Sequence, residues 1–173
     1  TSISVDIHKL GYANKGVSAL LVADSELQKY QRYSFTNWPA GVYTTMGISG
    51  SRSAGGLSSA WAVINHLGTT GYQEIVSEIL EARDQLIAGI EKINGLFLIG
   101  NPDSYLVAIG SDDLDVLGID NMMSDKGWVT SQLHKPPAIH LFLDRANAMN
   151  IENYLNELIE VITAYRAGER AAE

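Results

Sequence analysis

Lys9 carries the sharpest chemistry in this chain. It sits in Ser4-Val5-Asp6-Ile7-His8-Lys9-Leu10-Gly11-Tyr12, where a short apolar run ends in His-Lys and gives way to a small, flexible loop. A lysine amine attacks an aldehyde only when neutral. An amine at a strand end, partly desolvated and close to other cations, is pushed toward that state at working pH. Lys15 is placed to supply the cation. A phosphate-bearing aldehyde cofactor would also need cationic or N–H-rich surroundings, which His8, Lys15, Gly11 and Gly16 offer. A His-Lys pair beside a glycine equally describes a solvated loop, so spacing alone leaves both readings open.

Three stretches together carry a resemblance. Residues 4–18, SVDIHKLGYANKGVS, are similar to the lysine segment of the sphingosine-1-phosphate lyases, within the pyridoxal-phosphate group II decarboxylase superfamily. Residues 44–56, TTMGISGSRSAGG, resemble that family's Gly-Ser-Arg loop. Residues 127–143, GWVTSQLHKPPAIHLFL, resemble its later segment, with a Gln, a Pro-Pro pair and a His before a strand. Order and separation also match, so the resemblance spans nearly the whole chain.

The resemblance implies pyridoxal 5'-phosphate as cofactor and Lys9 as its Schiff-base lysine. It puts His8 on the cofactor phosphate, and Gly50 and Ser51 in a loop that in related dimers reaches the neighbouring subunit's cofactor. Lys15 falls near the phosphate or the substrate and is a candidate general base. The implied reaction is carbon–carbon lysis of a phosphorylated sphingoid base, sphingosine 1-phosphate, to a long-chain aldehyde and phosphoethanolamine. Two alternatives share these residues: an amino-acid decarboxylase of the same superfamily, and a non-catalytic dimerisation fragment. The implied fold is α/β, with residues 1–70 as the last strands of the fold-type I large domain and residues 71–173 as the small C-terminal α/β domain. Family members are much longer, and the aromatic or His that stacks on the ring and the Asp that pairs with the pyridine nitrogen precede the lysine. A homodimer, and a partner in that missing N-terminal half, are therefore expected. Leu10 stands where an aromatic is common, a departure that bears on substrate fit.

Each of these residues also has a plainer role open to it. His8 could be satisfied by backbone, and Lys15 could be an ordinary exposed lysine. Gly50 and Ser51 could form a turn that merely opens a helix, and Arg52 could clamp a phosphate or pair with a carboxylate. Tyr30, Tyr33, Trp38 and Tyr43 could line a substrate channel or pin their segment to the core. His134 and His140 are six residues apart, which fits no standard metal motif, and His66 reads as core or interface, so no metal site is expected.

Composition bounds the rest. The chain has 173 residues, 46% of them hydrophobic, 8% aromatic and 18% charged, enough apolar material for a core. Twelve basic against 20 acidic residues give a net charge of −8, which argues against a nucleic-acid surface. Cysteine is absent, which removes disulfides and thiolate chemistry. There is no uninterrupted apolar run of membrane-spanning length, and a cytoplasmic location is expected, with any anchor lying in the missing N-terminal part.

These residues need a scaffold. Residues 17–23, VSALLVA, read as a buried strand after the Lys15-Gly16 turn, forming a hairpin with the lysine segment. Residues 28–45 lack a period and read as a long irregular segment. Residues 57–67 read as a buried helix ended by Gly68. A second helix follows, with Ile75, Ile79, Ala82, Leu86, Ile90 and Ile93 at helical spacing up to Gly95. Residues 96–99 and 106–109 read as strands joined across Asn101-Pro102-Asp103. A helix over 114–126 capped by Asp113, a strand over 138–143, and a last helix capped by Asn150 complete the pattern. That last helix sets Ile151, Leu155, Leu158, Ile159 and Ile162 on one face, before a charged tail over 168–173.

Overall fold

The first strands are short because the apolar run that forms them is short. In the computed structural model β1 (Ser2–Val5) pairs antiparallel with β2 (Ala19–Val22), Ser2 opposite Val22 and Val5 opposite Ala19, as the hairpin reading expects. The structure describes residues 1–47 and 49–171; Ile48 of the Gly-Ser-Arg stretch and the last two residues of the charged tail lie outside them. The chain divides into two compact units, Thr1–Thr70 and Gly71–Glu173.

In the first unit, β2 leads into a short helix α1 (Ser25–Gln28), whose cap Asp24 accepts from the Glu26 N–H, and a 3-10 turn over Lys29–Gln31. The segment expected to be irregular then forms a second hairpin, β3 (Tyr33–Phe35) with β4 (Tyr43–Thr45). Its strands are three residues each, too brief for alternation to show against the surrounding polar residues. The Ser34 and Thr44 hydroxyls bond across it at 3.1 Å. β2 differs from expectation too: Leu20 and Leu21 are both exposed, because no described element of this unit covers them.

Helix α2 (Ala54–Ile90) bridges the unit boundary and breaks at Gly68, whose φ of 60° and ψ of −172° leave the helical region. That conformation is one that glycine adopts without steric cost, and it lies where the sequence places a helix stop. Before the break the helix is not buried as expected. Leu57 and Trp61 are 68% and 70% exposed, and only Ala60 is fully covered. His66 is likewise exposed and not core.

In the second unit a four-stranded antiparallel sheet runs in the order β5-β6-β8-β7. Its strands are β5 (Phe97–Leu98), β6 (Leu106–Gly110), β7 (Ser131–His134) and β8 (Pro137–Phe142). β7 has no apolar run of its own, so the sequence gives no sign of it; it is held by pairing with β8, Ser131 opposite His140 and His134 opposite Pro137. Val107 and Ile109 of β6 pair with Leu141 and Ile139 of β8, burying one face. The later part of α2 carries Ile75, Ile79, Ala82, Leu86 and Ile90, all buried as their 3.6-residue spacing requires.

Helix α3 (Val116–Asp125) adds Ile119 and Met123 to the core. Its cap is Asp115, which accepts from the N–H groups of Leu117 and Gly118, and not Asp113, which instead receives the Ser111 hydroxyl. A short α4 (Arg145–Ala148) opens on a capping box at Asp144. In α5 (Ile151–Arg166) the buried residues are Ile151, Tyr154, Leu158, Val161 and Ile162. Ile159 is half exposed, one step off the buried face, and the Asn150 side chain makes no cap bond.

Candidate functional site

The lysine lies in a tight turn just past β1, within the connection that joins β1 to β2. Lys9 N–H donates to Asp6 C=O at 3.0 Å, Tyr12 N–H to Lys9 C=O at 3.0 Å and Ala13 N–H to Ile7 C=O at 3.1 Å. Two backbone features hold this shape. Tyr12 adopts a left-handed φ of 59°, a conformation costly for a bulky residue and concentrated at functional sites. Gly11 passes so close to the preceding turn that a Cβ there would stand 2.5 Å from Ile7 O and 2.9 Å from Ile7 Cα.

Lys9 Nζ forms an ion pair with Asp6 Oδ2 at 2.8 Å, and its side chain is 58% exposed. The expected setting, a partly desolvated amine with a cation beside it, is therefore corrected: an anion stands next to the amine, and solvent reaches it. The bonds from Lys9 and then Ser18, opposed by slight burial, hold the Asp6 carboxyl below its ordinary range. Ser18 Oγ donates to Asp6 Oδ1 at 2.6 Å. Sequence reasoning missed both Asp6 and Ser18. The signal for Asp6 was its position three residues before the lysine, within reach only once a turn forms.

His8 Nδ1 lies 2.7 Å from Val17 C=O. A carbonyl can only accept, so Nδ1 carries the proton, and Nε2 takes no part in that bond. Lys15 is exposed on the loop that follows.

The start of α2 is packed onto this loop. A Cβ on Gly56 would lie 3.2 Å from Val17 Cβ and 3.5 Å from Gly16 O, and Ser59 Oγ accepts the Asn14 N–H at 2.9 Å. Gly50 and Ser51, in the loop leading into that helix, are exposed. The loop is shaped by Tyr43, whose hydroxyl comes within 3.2 Å of a Cβ built at Gly50, and by Arg52, whose Nη2 lies 2.8 Å from one at Gly47. Tyr33, Tyr43, Gln31, Thr45 and Gly47 line an open cleft of about 400 Å³ beside it. Tyr30 and Trp38 are exposed, so they do not pin their segment to a core.

The third stretch is structural in the second unit. Gln132 Nε2 donates to Asp120 Oδ2 at 3.0 Å and to Asn121 Oδ1 at 3.0 Å, and the Thr130 hydroxyl donates to Asp120 Oδ1. Asp120 is buried, and these bonds satisfy it. Tyr154 packs edge-on against Trp128 close by. Its buried hydroxyl has no hydrogen-bond partner among the described residues, and burial, then the Asp120 charge, push that hydroxyl well above the usual tyrosine range. His134 is exposed and His140 partly buried, and no group of metal-ligating side chains occurs among the described residues.

The chain, with its lysine-bearing hairpin, kinked long helix and four-stranded antiparallel sheet, has the fold of part of the fold-type I pyridoxal-phosphate enzymes. The glutamate decarboxylase of Lactobacillus brevis superposes on 94% of the chain with a TM-score of 0.74 at 20% identity, a likeness of fold. The closer resemblance is to sphingosine-1-phosphate lyases. The chain is 38% identical over 167 residues to the sphingosine-1-phosphate lyase of Oryza sativa, covering 96% of this chain and 31% of that protein. The solved sphingosine-1-phosphate lyase of Burkholderia pseudomallei matches 94% of the chain, and 37% of its own, with a TM-score of 0.89 and 32% identity. No family model matches the sequence. The chain thus spans about a third of the length of the relatives it matches.

Proposed function

We propose that this chain is part of a pyridoxal-phosphate-dependent lyase that cleaves a phosphorylated sphingoid base to a long-chain aldehyde and phosphoethanolamine. The observation that carries the reading is the similarity along 96% of the chain to sphingosine-1-phosphate lyases, with an exposed lysine amine presented from a rigid turn inside the matching length. The donor set fits the cofactor: an exposed amine for an aldehyde, an imidazole held by backbone, and an exposed glycine-serine loop for a phosphate. Residues 1–70 are read as the end of the cofactor-binding domain and residues 71–173 as the small α/β domain.

Lys9 Nζ is the amine that takes the cofactor aldehyde. His8, whose ring is held through Nδ1 by Val17 C=O, would contribute Nε2 to the phosphate. The Gly50 N–H and the Ser51 hydroxyl contribute to phosphate binding, in the arrangement where two subunits of a homodimer complete each other's sites. The bound cofactor supplies the electron sink that lets the substrate's C2–C3 bond break. Lys15 Nζ is the candidate base for the proton of the C3 hydroxyl. Groups that stack on the ring and pair with its nitrogen come from the length of the relatives that this chain does not span. No helix among the described residues is long and apolar enough to cross a membrane.

The test is product analysis. Holoenzyme supplied with sphingosine 1-phosphate is expected to release a long-chain aldehyde and phosphoethanolamine, and the Lys9→Ala variant neither. Carbon dioxide release from an amino acid, without aldehyde from the phosphorylated sphingoid base, would move the activity to a decarboxylase.

A further inference from the structure

The hairpin does more than carry Lys9. Its last paired residues are Val5 and Ala19, and the next residue on each strand, Asp6 and Ser18, are joined side chain to side chain at 2.6 Å. The register of the sheet therefore fixes the Asp6 carboxylate from both strands. Its other oxygen lies 2.8 Å from Lys9 Nζ. A lysine side chain has four rotatable bonds, and an exposed one samples many rotamers unless a partner holds it.

We propose that Asp6 is a positioning residue for Lys9: a carboxylate docked by Ser18 that receives the lysine as its ammonium each time the aldehyde carbon passes to a substrate amine. The inference rests on the reading of Lys9 as the aldehyde-binding amine. In that exchange one carbon–nitrogen double bond forms to the incoming amine and one to Lys9 breaks. The two protons shed by the incoming ammonium end on Lys9 Nζ. Held by Asp6 as an ammonium, Lys9 has no lone pair with which to return, so the exchange is biased forward. Asp6 faces Lys9 and His8 as its charged or titratable neighbours, and the Ser18 hydroxyl as its neutral one.

The test uses holoenzyme without substrate, reduced by borohydride across a pH series, with the adduct on Lys9 quantified by peptide mapping. Asp6→Asn keeps the shape but removes the charge that favours the ammonium. It is expected to move half-maximal trapping to lower pH and to raise the adduct at neutral pH by about two- to fivefold, the range for a solvent-exposed pair. Ser18→Ala, which frees the carboxylate without removing it, is expected to shift trapping in the same direction by less, and Asp6→Glu to restore part of the wild-type profile. Superimposable pH profiles for wild type, Asp6→Asn and Ser18→Ala, with Lys9 trapped in all three, would overturn the proposal alone. Absence of a Lys9 adduct in the wild type would instead overturn the reading on which it rests.

Discussion

Replacing Tyr154 by Phe is expected to stabilise this protein. Tyr154 is 3% exposed, and its hydroxyl finds no partner among the described residues. A buried hydroxyl left unbonded costs about 1–3 kcal/mol in desolvation, whereas Phe keeps the ring and its edge-on contact with Trp128. Losing the oxygen's own packing contacts offsets part of that gain, leaving a net on the order of 1 kcal/mol. For a chain of 173 residues this is a rise of about 2–4 °C in the unfolding midpoint. The variant also changes the alkaline limb of stability. The folded hydroxyl is raised above its ordinary value of 10.0, so its contribution is complete below pH 10. It is lost as pH rises further, because the unfolded chain ionises first and binds fewer protons. Tyr154→Phe should flatten that loss. Thermal denaturation at pH 7 and at pH 10.5 measures both effects. A variant destabilised by about 1 kcal/mol or more at pH 7 would instead mean that the hydroxyl is bonded in the folded state.

Two further substitutions separate the site from the scaffold. Gly11→Ala should cost cofactor incorporation far more than overall stability, because its Cβ would meet the Ile7 backbone at 2.5 Å and that turn presents Lys9; cofactor absorbance against the unfolding midpoint reads the difference. Leu86→Ala, at a fully buried position of the long helix, should lower stability by about 2–5 kcal/mol in denaturant titration while leaving the lysine turn unchanged.

Periodicity made the second unit legible. The six residues from Ile75 to Ile93 were expected on one helical face, and all six are buried, because a stripe that long can face only a core. The glycine at 68 was readable for a similar reason, since few other residues take its backbone angles. Legibility ended where structure depends on pairing rather than on pattern. Strand β7 is polar and exists through its register with β8, and the β3–β4 hairpin is too short to alternate visibly. Burial failed in the first unit for a different reason. Leu20, Leu57 and Trp61 have the composition of core residues, yet no described element of that unit covers them. At the site, the residue types that bear chemistry were visible at Lys9 and His8. The carboxylate beside the amine was not, because only the hairpin's register brings Asp6, Ser18 and Lys9 together.

On the proposed function, Lys9 is the amine that binds the cofactor aldehyde. It is tested most directly by loading the protein with pyridoxal phosphate, following the cofactor's absorbance, reducing with borohydride and locating the modified lysine by peptide mapping. A single stoichiometric adduct on Lys9 is expected. A stoichiometric adduct on Lys15 or another lysine, with Lys9 unmodified, would contradict it.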